Sequence, residues 1–300
     1  MPYLVGENMK NSKSLLDIII VNYRSTDYLK NCLHSLYECI SDIPVNVFIQ
    51  DNASGDGLKA IKALFPDIQV SVNSTNLGFA KAVNNTLRMC SAPHIMLLNP
   101  DTIVKQGFIE TIIDYMQNHP DVGIVGPRIL NRDGTVQGSA RSFPTPLTGF
   151  FGRTSLLTKW FPNNWITRKS ILSHPDSGME PINVDWVSGA CMVLRQRAIQ
   201  EVGMMDECFF MYWEDVDWCR RMWLKGWKVV YYPKPTIVHY VCGSSNKRPI
   251  RSIYAFHRSC YLYFVKYPAW PLNILKPVAL FGLSIRFVFA TILNRMHSLS

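Results

Sequence analysis

The sequence predicts an α/β protein with a mostly parallel β-sheet and helices on both faces. Over the first 126 residues, short apolar runs rich in β-branched residues alternate with stretches of helical periodicity, which is typical of a parallel sheet with crossover helices. Hydrophobic residues make up 48% of the chain and charged residues 18%. This composition supports a sizeable core and excludes disordered, collagen-like and coiled-coil chains.

The individual elements are arranged in a regular order. The run 16–21 is nearly continuous and apolar, which predicts a buried strand, and the helix after it presents Leu29, Cys32, Leu33 and Leu36 on one face. The same patterns predict further strands at 45–49, 68–72, 94–98 and 122–125, and helices at 58–65, 79–89 and 109–116.

The second half of the chain is less regular. From residue 128 to 184 the periodicity is poor and five prolines interrupt the chain, so we expect a loop-rich insert there. Regular structure returns as a strand at 187–194, a helix at 214–224 and a strand at 228–232.

The formal net charge of +9 is placed unevenly. Thirteen of the 31 Lys and Arg residues follow Asp217, and none of the 22 Asp and Glu residues does. A basic tail on a mildly acidic body predicts contact with lipid headgroups or nucleic acid, unless it is simply a solvated basic face. The segment 277–293 is largely apolar, but as a helix it would extend only about 25 Å. We therefore expect it to lie in the membrane interface and not to cross the bilayer.

The cysteines and the N-terminus predict a compartment. The eight cysteines form no CxxC pair and most lie in apolar runs, which indicates reduced, buried thiols and not a disulfide framework. The first 14 residues are polar and contain no apolar secretory core. We therefore expect the protein to work in the cytoplasm.

Polar side chains follow three of the predicted strands. Tyr23 follows the first strand, Asp51 the second, and Asn99-Pro100-Asp101 the fourth, where ligands of parallel sheets bind. A tyrosine there can stack on a nucleobase, and Asp51 can bind a base or ribose or serve equally as a helix cap or turn residue. Asn99 and Asp101 can hold a divalent cation, although a simple turn explains the same spacing. The glycine motifs of dinucleotide-binding and P-loop proteins are absent from the sequence.

The densest group of candidate catalytic residues is the set of carboxylates Glu214, Asp215 and Asp217, which lie among aromatic residues. Burial and like-charged neighbours raise a carboxyl pKa, which suits a general base, whereas a helix N-terminus favours the anion. Helical spacing predicts that Glu214 and Asp217 pair with Arg220 or Arg221. Asp215, on another face, is then the best candidate for the base; the alternative is an amphipathic helix with an acidic first turn.

One of the seven histidines, His239, follows a predicted strand within an apolar stretch. A histidine in such a stretch is more often a core residue than a ligand, so the residues alone leave both interpretations open.

Taken together, these stretches resemble the inverting, nucleotide-sugar-dependent glycosyltransferases of family 2, which have the Rossmann-like GT-A fold. The motifs are weak singly and specific in combination, and they span residues 15–265. Within the family, the chain is most similar to the rhamnosyltransferases of bacterial O-antigen and cell-wall polysaccharides, through the segments 126–130, 133–137 and 141–145. The motifs that carry the family resemblance are 18–23, 51–54, 76–84, 98–102, 186–190, 210–217 and His239.

The resemblance implies a donor site at the strand ends. Tyr23 and Asp51 would contact the pyrimidine and ribose of the donor. Asn76, Gly78 and Asn84 would help to shape the donor pocket.

The resemblance also implies a metal site and a catalytic base. Asn99 and Asp101 occupy the position of the family's DxD motif, close to the donor diphosphate, and His239 resembles a further ligand of Mg²⁺ or Mn²⁺. Asn99 in place of the first carboxylate removes one charge, so we expect weaker metal coordination. Asp215 would be the catalytic base, with Glu214 beside it.

The function that the resemblance implies is sugar transfer to a lipid-linked acceptor. The chain would transfer L-rhamnose from dTDP-rhamnose to a saccharide on a polyprenyl diphosphate, with Trp186 lining the acceptor site. It would act as a peripheral protein on the cytoplasmic face of the inner membrane and would not bind nucleic acid. The expected organisation is an N-terminal tail (1–14), a GT-A domain (15–245) with a nucleotide-sugar half (15–126) and an acceptor half (127–245), and a basic, helical, membrane-associated C-terminal extension (246–300).

Three alternatives stay open at this point. The same fold can use a UDP-sugar as donor. Because Asn99 weakens the metal site, a catalytically silent, nucleotide-binding scaffold of a polysaccharide assembly complex is a second alternative. A nucleic-acid binder would explain the pI of about 9.1 but not the carboxylate cluster.

Overall fold

The computed structural model describes residues 13–40, 43–55, 57–145, 170–173, 178–240 and 249–268. In the first half of the chain the elements are β1 (Leu16–Asn22), α1 (Thr26–Cys39), β2 (Val45–Asp51), α2 (Leu58–Leu64), β3 (Gln69–Val72), α3 (Phe79–Leu87), β4 (His94–Leu98), β5 (Thr102–Val104), α4 (Phe108–Asn118) and β6 (Val122–Leu130). In the second half they are β7 (Ala140–Arg141), β8 (Ile182–Asn183), β9 (Trp186–Val187), β10 (Cys191–Arg195), α5 (Gln196–Val202), α6 (Glu214–Leu224), β11 (Lys228–His239) and α7 (Pro249–Lys266).

The main sheet of the described chain has nine strands, in the order β3-β2-β1-β4-β10-β6-β11-β5, with β8 also paired to β11. β1 is parallel to β2 and β4, β2 is parallel to β3, and β6 is parallel to β11. β10 lies between β4 and β6 and is antiparallel to both. The predicted parallel order of the first half is therefore interrupted by a strand from beyond the insert. β7 and β9 form a separate two-stranded sheet.

Helices cover both faces of the sheet, as predicted. Ile18 and Ile20 of β1 pack with α1, α2 and α4 in one core cluster, whereas Ile19 packs with α3, α5 and α6 in the other. Successive side chains of a strand point to opposite faces. A continuous apolar run such as 16–21 is therefore the pattern that a strand buried on both faces requires.

Several elements differ from the sequence-based expectation. The predicted strand 187–194 is two strands, β9 and β10, separated by a turn at 188–190. β11 continues to His239 although Pro233 and Pro235 lie within it. Its register to β6 shifts between Tyr232 and Thr236, and at such an irregularity proline is tolerated because no ladder hydrogen bond is lost. β5, β7, β8 and α5 were not predicted, and β6 extends to Leu130 beyond its predicted end at 125.

The first part of the predicted C-terminal extension is α7, which packs against the body of the protein. Ala255, Ser259, Cys260 and Tyr263 are buried, and Tyr263 joins Phe209 and Val216 in a third apolar cluster. Among the described helices, none combines the length and the apolar character that crossing a bilayer requires. The segment 277–293 lies outside the described residues.

The thiols fit the sequence-based prediction of burial. All seven cysteines within the described ranges are free, and five of them are buried. Burial raises the pKa of Cys32 and of Cys90 to about 12, so these groups are protonated and unreactive at neutral pH.

Candidate active site

One side of the site is formed by the carboxyl ends of β1 and β2. The Asn22 amide donates to Asp51 Oδ1 at 2.9 Å and to Ser54 Oγ at 3.1 Å, and the Ser54 main-chain N–H donates to Asp51 Oδ2 at 3.0 Å. Asp51 therefore holds the turn after β2, which is the alternative that the sequence left open, and each oxygen retains acceptor capacity for a ligand. Tyr23 is half-buried here, with the Arg24 guanidinium 5.5 Å from its ring centre.

The loop before α3 is tied to the end of β2 by amide side chains. Asn52 donates to Asn76 Oδ1 at 2.9 Å and accepts from the Leu77 N–H at 2.9 Å. Gly78 has φ +85°, and a Cβ there would lie 2.4 Å from the carbonyl oxygen of Phe210. Glycine is required at this position because both the conformation and the close approach exclude a side chain.

Asn84, predicted from the family resemblance to shape the donor pocket, holds a neighbouring segment. Its amide donates to Met205 O at 2.9 Å and to Glu207 Oε1 at 3.0 Å, and its Oδ1 accepts from the Met205 N–H at 3.1 Å. In this structure, Asn84 connects α3 to the chain that leads into α6.

Asp101 and His239 meet across the β5–β11 pair. His239 Nε2 lies 3.3 Å from Asp101 Oδ1, and both side chains are nearly buried. Gln137 donates through Nε2 to His239 O at 3.0 Å and places its Oε1 3.2 Å from His239 Nδ1. This orientation of Gln137 favours a proton on Nδ1, which leaves Nε2 with its lone pair toward Asp101.

The donor atoms at this point fit a divalent cation. With the proton on Nδ1, the Nε2 lone pair of His239 lies 3.3 Å from a carboxylate oxygen of Asp101, and two acceptor atoms at this distance can share a cation or a proton. Their separation is close to the roughly 3 Å between adjacent ligands of an octahedral ion with bonds of about 2.1 Å. The described residues contain no group of three or more His, Cys, Asp or Glu side chains suited to a metal; Asn99 would supply an amide oxygen.

A short turn joins this pair to the carboxylates of α6. The Asn99 N–H donates to Ala190 O at 2.9 Å, and the Gly189 N–H donates to Asp215 Oδ2 at 3.0 Å. The turn between β9 and β10 therefore contacts both the 99–101 motif and the predicted base. A Cβ on Gly189 would lie 3.4 Å from Asp215 Cβ, which is ordinary van der Waals contact, so the turn packs directly against this residue.

The chain enters α6 through a strained turn. Tyr212 and Trp213 have φ of +68° and +73°, a region that costs a residue other than glycine about 1–2 kcal/mol. Strain of this kind is maintained only where surrounding contacts hold it, and it is common in active sites. The turn places Glu214 and Asp215 at the first two positions of the helix.

The two carboxyls of this turn have different environments. Glu214 is buried, and its Oε2 has no hydrogen-bond partner among the described residues. Burial and the adjacent Asp215 raise its pKa well above the ordinary value. Burial also raises the pKa of Asp215, but the N–H groups of Gly189 and Val216 and the charge of Arg141 oppose this effect. The arrangement therefore favours ionisation of Asp215 over ionisation of Glu214.

Of the two carboxylates predicted to pair with Arg220 or Arg221, Asp217 does so and Glu214 does not, within the described residues. Asp217 is fully buried and pairs with Arg221, with Nε to Oδ2 at 2.8 Å. Within the part of the chain that the structure describes, no ion pair of Glu214 with either arginine is present. Arg220 instead donates to Tyr263 Oη at 3.1 Å, because α7 covers this face of α6.

Trp186, predicted to line the acceptor site, lies on β9 beside the third apolar cluster. Its Nε1 donates to Ser142 O at 3.0 Å, and the Arg141 guanidinium lies 5.9 Å from its ring centre. Its half-buried ring therefore lies beside the Arg141 guanidinium, and the charge of this guanidinium lowers the pKa of Asp215 against the effect of burial.

The sequence analysis did not single out several residues of the site. Gln137, Gly189 and Arg141 lie in segments that carry the family resemblance, but nothing local identified them because each acts on a residue distant in the chain. The contacts of α7 with α6 had no sequence signal beyond the aromatic and basic composition of 249–267.

Comparison with known proteins shows the family to which the chain belongs. Residues 14–254 match the family model described as "Glycosyltransferase like family 2", and the chain belongs to this glycosyltransferase family. It is therefore an enzyme of the transferase class. Its fold is also similar, with a TM-score of 0.58 and 13% identity, to the crystal structure of GalNAc-T7 with UDP, GalNAc and Mn²⁺; the match covers 91% of this chain and 56% of that one.

Several relatives of the chain are rhamnosyltransferases. The chain is 30% identical to the N-acetylglucosaminyl-diphospho-decaprenol L-rhamnosyltransferase of Mycobacterium tuberculosis, over 85% of this chain and 86% of that protein. It is 28% identical to the rhamnosyltransferase WbbL of Escherichia coli, over 74% and 82%. It is 25% identical to the dTDP-rhamnosyl transferase RfbF of Shigella flexneri, over 76% and 70%.

Proposed function

We propose that this glycosyltransferase moves L-rhamnose from dTDP-rhamnose to a hydroxyl of a lipid-linked saccharide, with inversion at the anomeric carbon and with Asp215 as base. The names of the relatives support the sugar, the nucleotide and a lipid-linked acceptor. The observation that carries the proposal is the 189–190 turn, which is hydrogen-bonded to Asn99 on one side and to Asp215 on the other.

The chemistry proposed for Asp215 is consistent with its environment. Gly189 and Val216 each donate a main-chain N–H to it, which holds the carboxylate in one orientation. As the acceptor oxygen forms a bond to the anomeric carbon, the bond to the diphosphate breaks and the acceptor proton passes to Asp215. Since this is a single displacement, the anomeric configuration inverts.

The diphosphate end of the donor would lie at Asp101 and His239. These residues, with Asn99, would hold Mg²⁺ or Mn²⁺, and a divalent cation there supplies charge neutralisation for the departing diphosphate. Gln137 fixes the ring of His239, as residues behind metal-ligating histidines commonly do. At the other side of the donor, Tyr23 and Asp51 would contact the pyrimidine and the ribose.

The acceptor proposal places the enzyme at a membrane surface. A saccharide on a polyprenyl diphosphate is anchored in the bilayer, and the chain after Asp217 carries cations and no acids. Such a segment is attracted to the anionic cytoplasmic leaflet. We place the enzyme there as a peripheral protein of the inner membrane, with 246–300 as the attaching extension.

Removal of 270–300 tests this placement. The truncated protein should cosediment less with anionic liposomes than the full chain does, whereas cosedimentation with neutral liposomes, the matched control, should change little.

Two alternative functions are each supported by one observation. A UDP-sugar donor is compatible with the same fold, and the structural neighbour was crystallised with UDP. A silent nucleotide-binding scaffold is compatible with Asn99 in place of a carboxylate.

Donor binding separates these candidates. A ligand that binds only the folded state at 100 times its Kd stabilises it by about 2.7 kcal/mol, so we expect a metal-dependent rise in Tm with dTDP-rhamnose that exceeds the rise with UDP-GlcNAc or UDP-galactose. A larger rise with a UDP-sugar would replace the proposed donor. Binding of dTDP-rhamnose without any transfer would favour the scaffold.

A further inference from the structure

The buried carboxylate of Asp217 links α6 to α7 within three residues of the proposed base. Its Oδ2 accepts from Arg221 Nε at 2.8 Å, and its Oδ1 accepts from Tyr267 Oη at 2.8 Å and pairs with Lys266 Nζ at 2.7 Å. Asp217 is 0% exposed. A fully buried carboxylate needs such partners, because an unpaired one would be strongly destabilising.

Lys266 also holds the segment on the other side of the base. Its Nζ donates to Asp206 Oδ2 at 2.6 Å, and this contact lowers the pKa of Asp206 to about 2 against the effect of burial. Asp206 accepts from the Cys208 N–H at 3.0 Å and so fixes the turn that starts the 206–213 segment. One ammonium group therefore connects the segments before and after Glu214 and Asp215.

Further contacts of α7 hold the strained turn itself. Ser259 Oγ donates to Met211 O at 3.0 Å, and the ring of Trp213 packs against Tyr263 with centroids 5.2 Å apart. Trp213 is one of the two residues with left-handed backbone that precede Glu214. Strain of this kind persists only while its surroundings hold it.

From these contacts we infer that α7 and the residue directly after it position the Asp215 carboxylate for proton transfer, with Lys266 and Tyr267 as positioning residues that act through Asp217. This inference rests on the proposed role of Asp215 as base. The two residues contact neither the 189–190 turn nor Asp101 and His239 in any hydrogen bond or ion pair of the described chain. Their loss should therefore change turnover more than donor binding.

The variants Tyr267→Phe and Lys266→Met test the inference. Tyr267→Phe removes one hydroxyl from the Asp217 contact and keeps the ring, so it preserves folding even if Lys266→Met does not. Tyr261→Phe, on an exposed part of the same helix, and Lys59→Met, exposed on α2, are the matched controls. A misplacement of about 1 Å at a catalytic group can cost on the order of 10²-fold in rate.

We expect both variants to lower kcat about 10-fold or more, with the donor Kd within about 2-fold of wild type. Lys266→Arg should restore most of the activity because it keeps the charge and the donors, and the controls should behave as wild type. Unchanged kcat in Tyr267→Phe, or equal losses of kcat and donor affinity, would overturn the inference.

A double-mutant comparison separates this inference from the proposed function. If Lys266 acts through Asp215, Lys266→Met should cause little further loss when added to Asp215→Asn, because coupled residues are not additive. Losses that multiply would overturn the positioning role while Asp215 remains the base. Full activity of Asp215→Asn alone would instead overturn the proposed function.

Discussion

At the scale of single residues, the proposed proton transfer depends on the different environments of two adjacent carboxyls. Asp215 receives hydrogen bonds from the Gly189 and Val216 N–H groups, whereas Glu214 Oε2 receives none from the part of the chain that the structure describes. Hydrogen bonds to the charged form favour ionisation, and burial without them opposes it. Of these two adjacent carboxyls, Asp215 therefore ionises more readily, and the ionised form is the one suited to accept a proton.

The first prediction concerns this base. Asp215→Asn should lower kcat by about 10²–10⁴-fold with donor binding retained, because the amide cannot accept the proton. The matched control is Asp114→Asn at an exposed position of α4. Steady-state kinetics and donor titration measure the two effects, and an unimpaired Asp215→Asn enzyme would remove the base assignment.

A second prediction concerns the metal site. His239→Ala, and Gln137→Leu behind it, should raise the Mn²⁺ concentration for half-maximal activity by about 10–100-fold, the range typical of groups that orient metal ligands. His119→Ala at an exposed position serves as control. Equal loss of activity at every metal concentration would indicate a folding defect and contradict the proposed ligand.

A third prediction concerns acid stability. Burial, with a smaller contribution from the Arg195 charge, lowers the pKa of His94 from 6.5 to about 4. The unfolded chain binds this proton first as the pH falls, so the free energy of unfolding should decrease between pH 6.5 and about 4, by roughly 3 kcal/mol. Urea unfolding of the wild type and of His94→Asn across this range measures the slope, and an identical slope in both would contradict the prediction.

At the scale of elements, local sequence patterns predicted those features that depend on residues close together in the chain. Helix α6 has the predicted bounds 214–224, since its acidic first turn and apolar spacing are local signals. The position of β10 between β4 and β6 was not predicted, because strand pairing depends on residues nearly 100 positions apart. The contact between Gln137 and His239 joins residues 102 positions apart, and it was not predicted for the same reason.

A fourth prediction tests the contact between two loops. In Gly78→Ala the new Cβ would meet Phe210 O at 2.4 Å in addition to the backbone strain at φ +85°. Gly134→Ala is the control, because its φ of +83° imposes the strain alone and no atom of the described residues lies within 4 Å of the new Cβ. Urea denaturation should show a loss of about 1–3 kcal/mol for Gly78→Ala beyond that of the control; equal losses would mean that the loops do not hold each other.

At the scale of the whole molecule, the sheet brings together groups from both halves of the chain. Asn22, Asp51, Asn99 and Asp101 come from the first half, and Asp215 and His239 come from the second. The fold class could be predicted from the sequence and its family resemblance, which also singled out Asp51, Asn99, Asp101, Asp215 and His239 as candidate site residues. Their mutual orientation could not, because it depends on the 189–190 turn and on the docking of α7.

The most direct test of the central claim is the product of a complete reaction. The purified chain, incubated with dTDP-rhamnose, Mn²⁺ and a polyprenyl-diphosphate-linked N-acetylglucosamine, should form a rhamnosyl product whose anomeric configuration, read by NMR, is opposite to that of the donor. A product with the donor's own configuration would contradict the single displacement assigned to Asp215. No product with any nucleotide-sugar, from an enzyme that binds the donor, would contradict the proposed catalytic function.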